Sequence, residues 1–476
     1  MSPAAATSLE PGRAAGLPLI ATLRLGLFQA CLGCLAVIFS GLLNRVMLSE
    51  LGFPGLLVGF ALACEQFVAP SRVLFGQISD SRPIARRHRI PYVLLGTGLF
   101  CALAVLSVPL IFRVAALLRA GEQPALGFAI AALCGLFALY GLAVSLATTP
   151  YLALVIDRTS EAERPRAVGI LWCLLTVGIV IGAVFIGISL RSLDGVSDPA
   201  VLQSALTAFM LRVSLAVFAL TLVATWRMEA PRTSGDPVDG GQTREDSVTL
   251  AQAWSLIRSS RQVLIFFTFL VLFTLALFLQ DPVLESYGAQ VFAMPIAATA
   301  QLNAFWGIGT LIGLLVAGIW IVPRLGKLPA ARLGCRLITA SLLLLLLCGL
   351  TASVPLLKLV MLLFGLSAGL ATNSALCLML DLTLPEVAGT FVGVWGLAQA
   401  LSRALGKVIG GGLLDLGRLL PWFARASDPY PAFALVLAIE CLVSVAALLV
   451  LERVNVRQFR EDAGSRLDQV LLAETL

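Results

Sequence analysis

Charge is scarce in this chain. Only 13% of its 476 residues are Asp, Glu, Lys or Arg, against roughly 25% in a soluble domain. Hydrophobic residues make up 59%, and the mean hydropathy is +0.96. A water-soluble fold is thereby excluded. Histidine is scarcer still: His88 stands alone, so no imidazole pair exists to hold zinc or copper. A phosphate-cradling glycine loop and a nucleophile beside a base are also lacking, which sets the enzymatic classes aside, and no metal site is expected. The ten cysteines fall nearly all within apolar segments, where a thiol packs as a small hydrophobe. Cys31 and Cys34 have CxxC spacing without a second pair, so they read as packing residues, and no disulfide is expected.

What the chain does have is long apolar runs such as "LITASLLLLLLCGL" (337–350) and "AFALVLAIECLVSVAALLVL" (432–451). These approach or reach the roughly 20 residues that cross a bilayer as a helix. Breaks at polar clusters, Pro and Gly predict twelve spans, near 19–43, 54–79, 90–112, 126–156, 166–190, 205–226, 262–281, 298–322, 333–350, 354–380, 388–414 and 431–452. The expectation is an all-α membrane protein. Its parts are a tail (1–18), a six-helix bundle (19–226), a hydrophilic linker (227–261), a second bundle (262–452) and a closing tail (453–476). The first apolar run lacks the short core and cleavage site of a secretory signal, so the first tail is expected to be retained. Within the linker, 248–258 reads either as an amphipathic helix on the membrane surface or as a solvated helix.

The net charge of +6 reports orientation here, and no nucleic-acid partner is implied. Arginine and lysine crowd the turns after the even-numbered spans: Arg82, Arg86, Arg87 and Arg89; Arg158, Arg164 and Arg166; Arg324, Lys327 and Arg332. The opposite loops hold fewer, chiefly Arg45, Arg113, Arg119, Arg191, Arg418 and Arg425. Both termini are therefore expected on the cytoplasmic side.

The two halves share a repeat. "DRTSEAERPRAVGILW" (157–172) and "DLTLPEVAGTFVGVW" (381–395) align at one offset, Asp157 with Asp381 and Gly169 with Gly393, while Arg166 faces Thr390. Internal duplication of this kind marks transporter folds built from two six-helix repeats. In "FGQISDSRPIARRHRIPY" (75–92), Gly76, Asp80, Arg86 and Arg87 resemble the loop signature of the major facilitator superfamily, without its second glycine and with a longer turn. The resemblance implies that superfamily's fold, twelve transmembrane helices in two pseudo-repeats. It also implies a latch role for Asp80, a helix-end carboxylate paired with nearby cations. A solvated turn acid is the other reading. The corresponding turn of the second half, "GIWIVPRLGK" (318–327), has no acid, so a symmetric latch is only half furnished.

A narrower resemblance runs along nearly the whole chain. "LNRVMLSELGFPGLLVG" (43–59), "FVAPSRVLFGQISDSRP" (67–83), "RALGKVIGGGLLD" (403–415) and "LERVNVRQFR" (451–460) resemble the PucC and LhaA group, the bacteriochlorophyll delivery branch of the superfamily. That implies a photosynthetic bacterium or cyanobacterium, in its inner, intracytoplasmic or thylakoid membrane. It implies an assembly factor, with light-harvesting or photosystem subunits as partners and chlorophyll or bacteriochlorophyll as a transient ligand. A proton-coupled transporter of a small molecule, working through Glu65, Asp157 or Glu440, is the alternative.

Ionisable residues inside spans are functional candidates by default. Glu65, Gln66 and Arg72 fall in span two; Glu65 and Arg72, seven apart, share a face but pair directly only if the helix is distorted. Arg403 and Lys407, four apart in span eleven, need an anion, either lipid phosphate or a carboxylate of another helix; as working groups they would meet lipid headgroups or a pigment's propionate-derived ester. Glu440 lies mid-span in the twelfth. Each reads either as an interhelical tie, worth about 1 kcal/mol or less, or as a working group; for Glu65 that means a proton carrier or a ligand to a pigment's magnesium. Asn303 and Asn373 read as ties. With His88 in a turn, no span offers imidazole to a tetrapyrrole metal, which points to transient pigment handling. The glycine pairs 178/182, 309/313, 365/369 and 406/410 predict close helix packing.

Overall fold

The computed structural model describes residues 18–159, 164–191, 198–229, 261–381, 388–420 and 428–455; within them, the side chains of Val73, Asp80, Arg164, Pro165, Arg166, Val168, Leu380, Asp381 and residues 388–394 lie outside the description. The helices are α1 (Leu19–Glu50), α2 (Gly55–Phe67), α3 (Ser71–Ser81), α4 (Ile90–Ala120), α5 (Gln123–Arg158), α6 (Arg164–Ser189) and α7 (Pro199–Thr225) in the first half. The second half has α8 (Arg261–Phe278), α9 (Leu284–Gln290), α10 (Ile296–Leu325), α11 (Lys327–Cys348), α12 (Val354–Asp381), α13 (Ala388–Leu419) and α14 (Tyr430–Glu452). Ten of them are long and apolar enough to cross a membrane. The α2–α3 pair and α13 supply two further passages, giving twelve among the described residues. The expected amphipathic segment 248–258 and most of the expected linker lie outside the described residues.

Several helices outrun the predicted spans. α5 is 36 residues long, about 54 Å at 1.5 Å per residue, against a hydrocarbon core of roughly 30 Å. A reading by hydropathy stops at the first arginine, whereas the helix continues into the headgroup region with Arg113, Arg119 or Lys327 riding on it. Start and stop signals agree with local chemistry. Asp198 caps α7 through the Ala200 N–H at 2.9 Å, with Pro199 in the first turn. Gly121, at φ +70°, closes α4.

Arg45 corrects the sequence expectation. Placed in a loop by charge, it is the 4%-exposed end of an α1 that runs on to Glu50 through wide π-type turns at 37–42 and 46–50. Its burial is tolerated because it bonds to Thr299, Met294 and Glu50.

Glycine packing occurs as predicted. Gly178 and Gly182 lie against Ala30 and Cys34 of α1, and Gly309 and Gly313 of α10 interlock with Gly365 and Gly369 of α12. Between the halves, α2 lies on α13, where Gly55 and Gly411 touch backbone to backbone, and α6 lies on α10. Hydrogen bonds between the two bundles with both partners described run from Ser40, Asn44, Arg45, Ser49, Gly55 and Leu56, all in the half away from the termini. Among the described residues, the hydrogen bonds that join the two bundles thus lie at that far side. Asp415 of α13 closes the far side directly, accepting the N–H groups of Gly55 and Leu56 at 2.7 Å each. It thereby caps α2 of the opposite bundle.

The arginine-rich turn is held within the first bundle. Asp80, the sequence candidate, has its side chain outside the described residues. The described ties are others: Glu229, just past α7, accepts N–H groups from His88, Arg89 and Ile90 at the start of α4. Arg89 pairs with Asp157 at 3.0 Å and donates to Ser79 at 2.8 Å. Where the family signature has its second glycine, Ala85 and Arg86 take positive φ of 52° and 62°, a conformation that glycine reaches without steric cost. Arg86 is exposed, and Arg87 bridges back to Ile84 through its backbone.

Two outcomes follow from these contacts. Glu229→Ala is expected to lower the stability of the first bundle by about 1–2 kcal/mol, the scale of a lost helix cap, read as an earlier thermal loss of the monodisperse peak in size exclusion; an unchanged profile contradicts the cap. Asp415→Asn is expected to loosen the far side, so that a cysteine placed at Ser49 reacts several-fold faster with a membrane-impermeant maleimide than in the parent chain. An equal rate removes Asp415 from the closure.

Candidate functional site

Two spans are interrupted near mid-depth, and charged residues collect around both breaks. In the second, Ala69–Pro70 separates α2 from α3, because the proline removes a backbone donor and disfavours helical conformation in the residue before it. Glu65 stands before that break and Arg72 after it. In the seventh span, Asp281–Pro282 ends α8 at Phe278 and restarts the chain as α9. The freed N–H of Gln280 is taken by Glu440 of α14 at 3.3 Å. Glu440, 0% exposed, therefore supports the break from behind.

On the facing helix α13, Trp395, Gln399, Arg403 and Lys407 recur every fourth residue and form a polar stripe winding toward the breaks. Lys407 is 5% exposed; its Nζ lies 3.7 Å from Asp281 Oδ2 and donates to Ser40 Oγ of α1 at 3.4 Å. The Arg403 guanidinium sits 4.4 Å from the centroid of Phe278, the last residue of α8. Phe278 in turn meets Trp306 of α10 edge-on at 6.5 Å. Glu65 lies within electrostatic reach of Lys407, Arg72, Asp281 and Arg403, and Arg403 within reach of Asp281 and Arg72. Five ionisable groups from both bundles thus gather around the two breaks.

The sequence candidates divide accordingly. Glu65, Arg72, Arg403 and Lys407 meet, with Glu440 one layer behind. Glu65 and Arg72 make no ion pair among the described contacts, although the helix between them is broken, the condition under which their spacing allows direct pairing. Gln66 meets none of the cluster through a described hydrogen bond, and Gly76 lies in ordinary contact with Thr149. Asp157 belongs to the Arg89 tie. Arg166 and Asp381 have side chains outside the described residues, so the repeat is not tested there. Asn303 and Asn373 are ties, to Glu285 at 2.6 Å and to the Leu314 carbonyl at 2.9 Å.

Asp281, Glu285, Asp415, Trp306 and Trp395 escaped the sequence reading. The Asp-Pro pair late in an apolar run signals the first of these, and the four-residue spacing upstream of Arg403 signals Trp395. Among the described residues, no group of three or more His, Cys, Asp or Glu is placed to hold a metal.

Buried polar atoms without partners add chemical direction. Arg403 Nε, Trp306 Nε1 and Trp395 Nε1 are buried donors with no acceptor. Such groups are costly unless something outside the chain satisfies them.

This architecture has solved counterparts. A structure described as giving insights into substrate recognition in proton dependent oligopeptide transporters matches with a TM-score of 0.67 at 14% identity, over 93% of this chain and 100% of that one. The shared fold is that of the major facilitator superfamily. In sequence, the chain is 31% identical over 412 residues to an uncharacterized protein in the puhA-bchM intergenic region of Rhodobacter capsulatus, covering 84% of this chain and 81% of that one. It is 29% identical over 412 residues to Protein PucC of Rhodovulum sulfidophilum, covering 85% and 87%. With the PUCC protein family matching residues 42–459, the chain belongs to the PucC family.

Proposed function

We propose that this multi-pass membrane protein is a photosynthetic assembly factor: it takes up (bacterio)chlorophyll-type pigment in the cleft between its bundles and presents it to light-harvesting or photosystem apoproteins. Family membership supports the photosynthetic setting. The observation that carries the rest is the chemistry around the α8 break, where Phe278 and Trp306 meet edge-on beneath Arg403 and the indole N–H groups of Trp306 and, two turns along α13, Trp395 lack acceptors. A large, flat, mostly apolar ligand with a few carbonyl oxygens is the complement of such a wall. The position of the inter-bundle hydrogen bonds away from the termini supports a cleft that opens on the termini's side, and the arginine bias supports that side being cytoplasmic. Holding without imidazole keeps the pigment exchangeable, as delivery requires. No step of covalent chemistry enters this reading.

Proton-coupled transport of a small molecule is the second reading. It draws on Glu65, a carboxylate among cations with no described hydrogen bond to its side chain.

Deleting the gene in the native host is expected to lower the light-harvesting or photosystem absorbance bands. A tagged chain supplied in trans is expected to restore them and to co-purify with apoproteins and substoichiometric pigment. Wild-type bands in the deletion strain would sink the assembly role, and one tightly held pigment per chain would sink the transient one. Full restoration by a Glu65→Gln chain counts against proton coupling through that residue.

A further inference from the structure

The charge around the two breaks does not balance. Within electrostatic reach of Glu65 lie three cations, Lys407, Arg72 and Arg403, and one further acid, Asp281, while Glu285 and Glu440 stand behind Asp281. The closest ion pair among the five is the 3.7 Å contact of Lys407 with Asp281, longer than the roughly 2.7–2.9 Å of a charge-assisted hydrogen bond. Arg403 spends its face on the Phe278 ring and leaves Nε without an acceptor. At membrane depth an uncompensated cation is costly. A fold that gathers three cations there, from both bundles, around two separated acids is short of one anion. The partnerless atoms of Arg403, Trp306 and Trp395 are donors, whereas those behind the α8 break, Gln280 Oε1 and Glu440 Oε2, are acceptors.

We infer that the cluster around the breaks is a binding site for the anionic group of an amphiphile, a carboxylate or phosphate held by Arg403, Lys407 and Arg72, with the apolar body lying along Phe278 and Trp306. Arg403 supplies directed N–H donors and Lys407 a point charge, while Glu65 and Asp281 set the net charge to one positive. The inference rests on the pigment reading only in its choice of cargo. For a tetrapyrrole it specifies the free propionic acid over its ester. A membrane phospholipid with an anionic headgroup presents the same chemistry.

The test uses the full chain in a neutral maltoside detergent, with quenching of tryptophan emission as the readout. The probes are chlorophyllide a, its methyl ester, and phosphatidylglycerol or phosphatidylcholine added as competitors or assayed alone by native mass spectrometry. The acid is expected to bind at least ten-fold more tightly than the ester, and phosphatidylglycerol but not phosphatidylcholine to displace it. Arg403→Gln is expected to abolish the preference for the acid, Arg403→Lys to retain part of it, and Glu65→Gln to strengthen acid binding, which loss of a merely structural tie would not do. Equal binding of acid and ester by the wild-type chain overturns the anion site and leaves the pigment reading standing. Binding of phosphatidylglycerol without either pigment keeps the anion site, assigns it to lipid, and removes the pigment reading. Failure of every anion to bind better than its neutral counterpart overturns the inference outright, whatever the variants do.

Discussion

The meeting of Lys407 with Asp281 organises the middle of this molecule. A cation on α13 inside the membrane needs a counter-charge, and the nearest is a carboxylate that exists at that depth only because α8 stops short. The stop depends on Pro282, and the backbone donor it frees depends on Glu440. Ser40 completes the arrangement from the other bundle, out of the widened turns of α1. A proline, a buried acid and a π-type stretch, each a local irregularity, thus serve one electrostatic requirement. Broken helices at mid-depth are where transporters of this architecture expose backbone and charge to a ligand.

Above that layer the far side is sealed by different chemistry. Arg45, Thr299, Glu285 and Asn303 form a buried polar plug, with Ser49 on Ser286 beyond it. Gly41 gives Glu285 room, since a Cβ there would run into its carboxylate. The plug is directional and largely satisfied, whereas the cluster beneath it has unmet donors. The sealed layer and the cluster with unmet donors are therefore separated in depth along the same helices.

Much of this was legible in the sequence. Hydropathy found the passages, and the cost of charge in lipid singled out Glu65, Arg72, Arg403, Lys407 and Glu440 before any packing was known. Their convergence was not legible, because it depends on how α2, α3 and α13 face the seventh span, and residue spacing within one helix carries no information about a neighbour. The misplacements share one cause. Arg45, Asp281 and Asp415 were assigned to loops or span edges because charge was taken as the end of a helix, yet each is buried or bonded across the bundle interface. Glu229 escaped for the converse reason: it sits in a hydrophilic stretch where an acid draws no notice, and its function is to cap a helix more than a hundred residues earlier in the chain.

The contact of Gly55 with Gly411 has a mechanical consequence. Two helices touching through bare backbone have no interdigitated side chains to withdraw and no rotamers to change when one tilts on the other, so that point can act as a fulcrum. Asp415 lies one turn beyond it and grips the end of the opposite helix by two N–H groups alone. A lever so arranged yields to rotation more readily than to sliding along the shared axis, and swinging it must break the Asp415 grip together with the bonds of Arg45 and Ser49 across the interface.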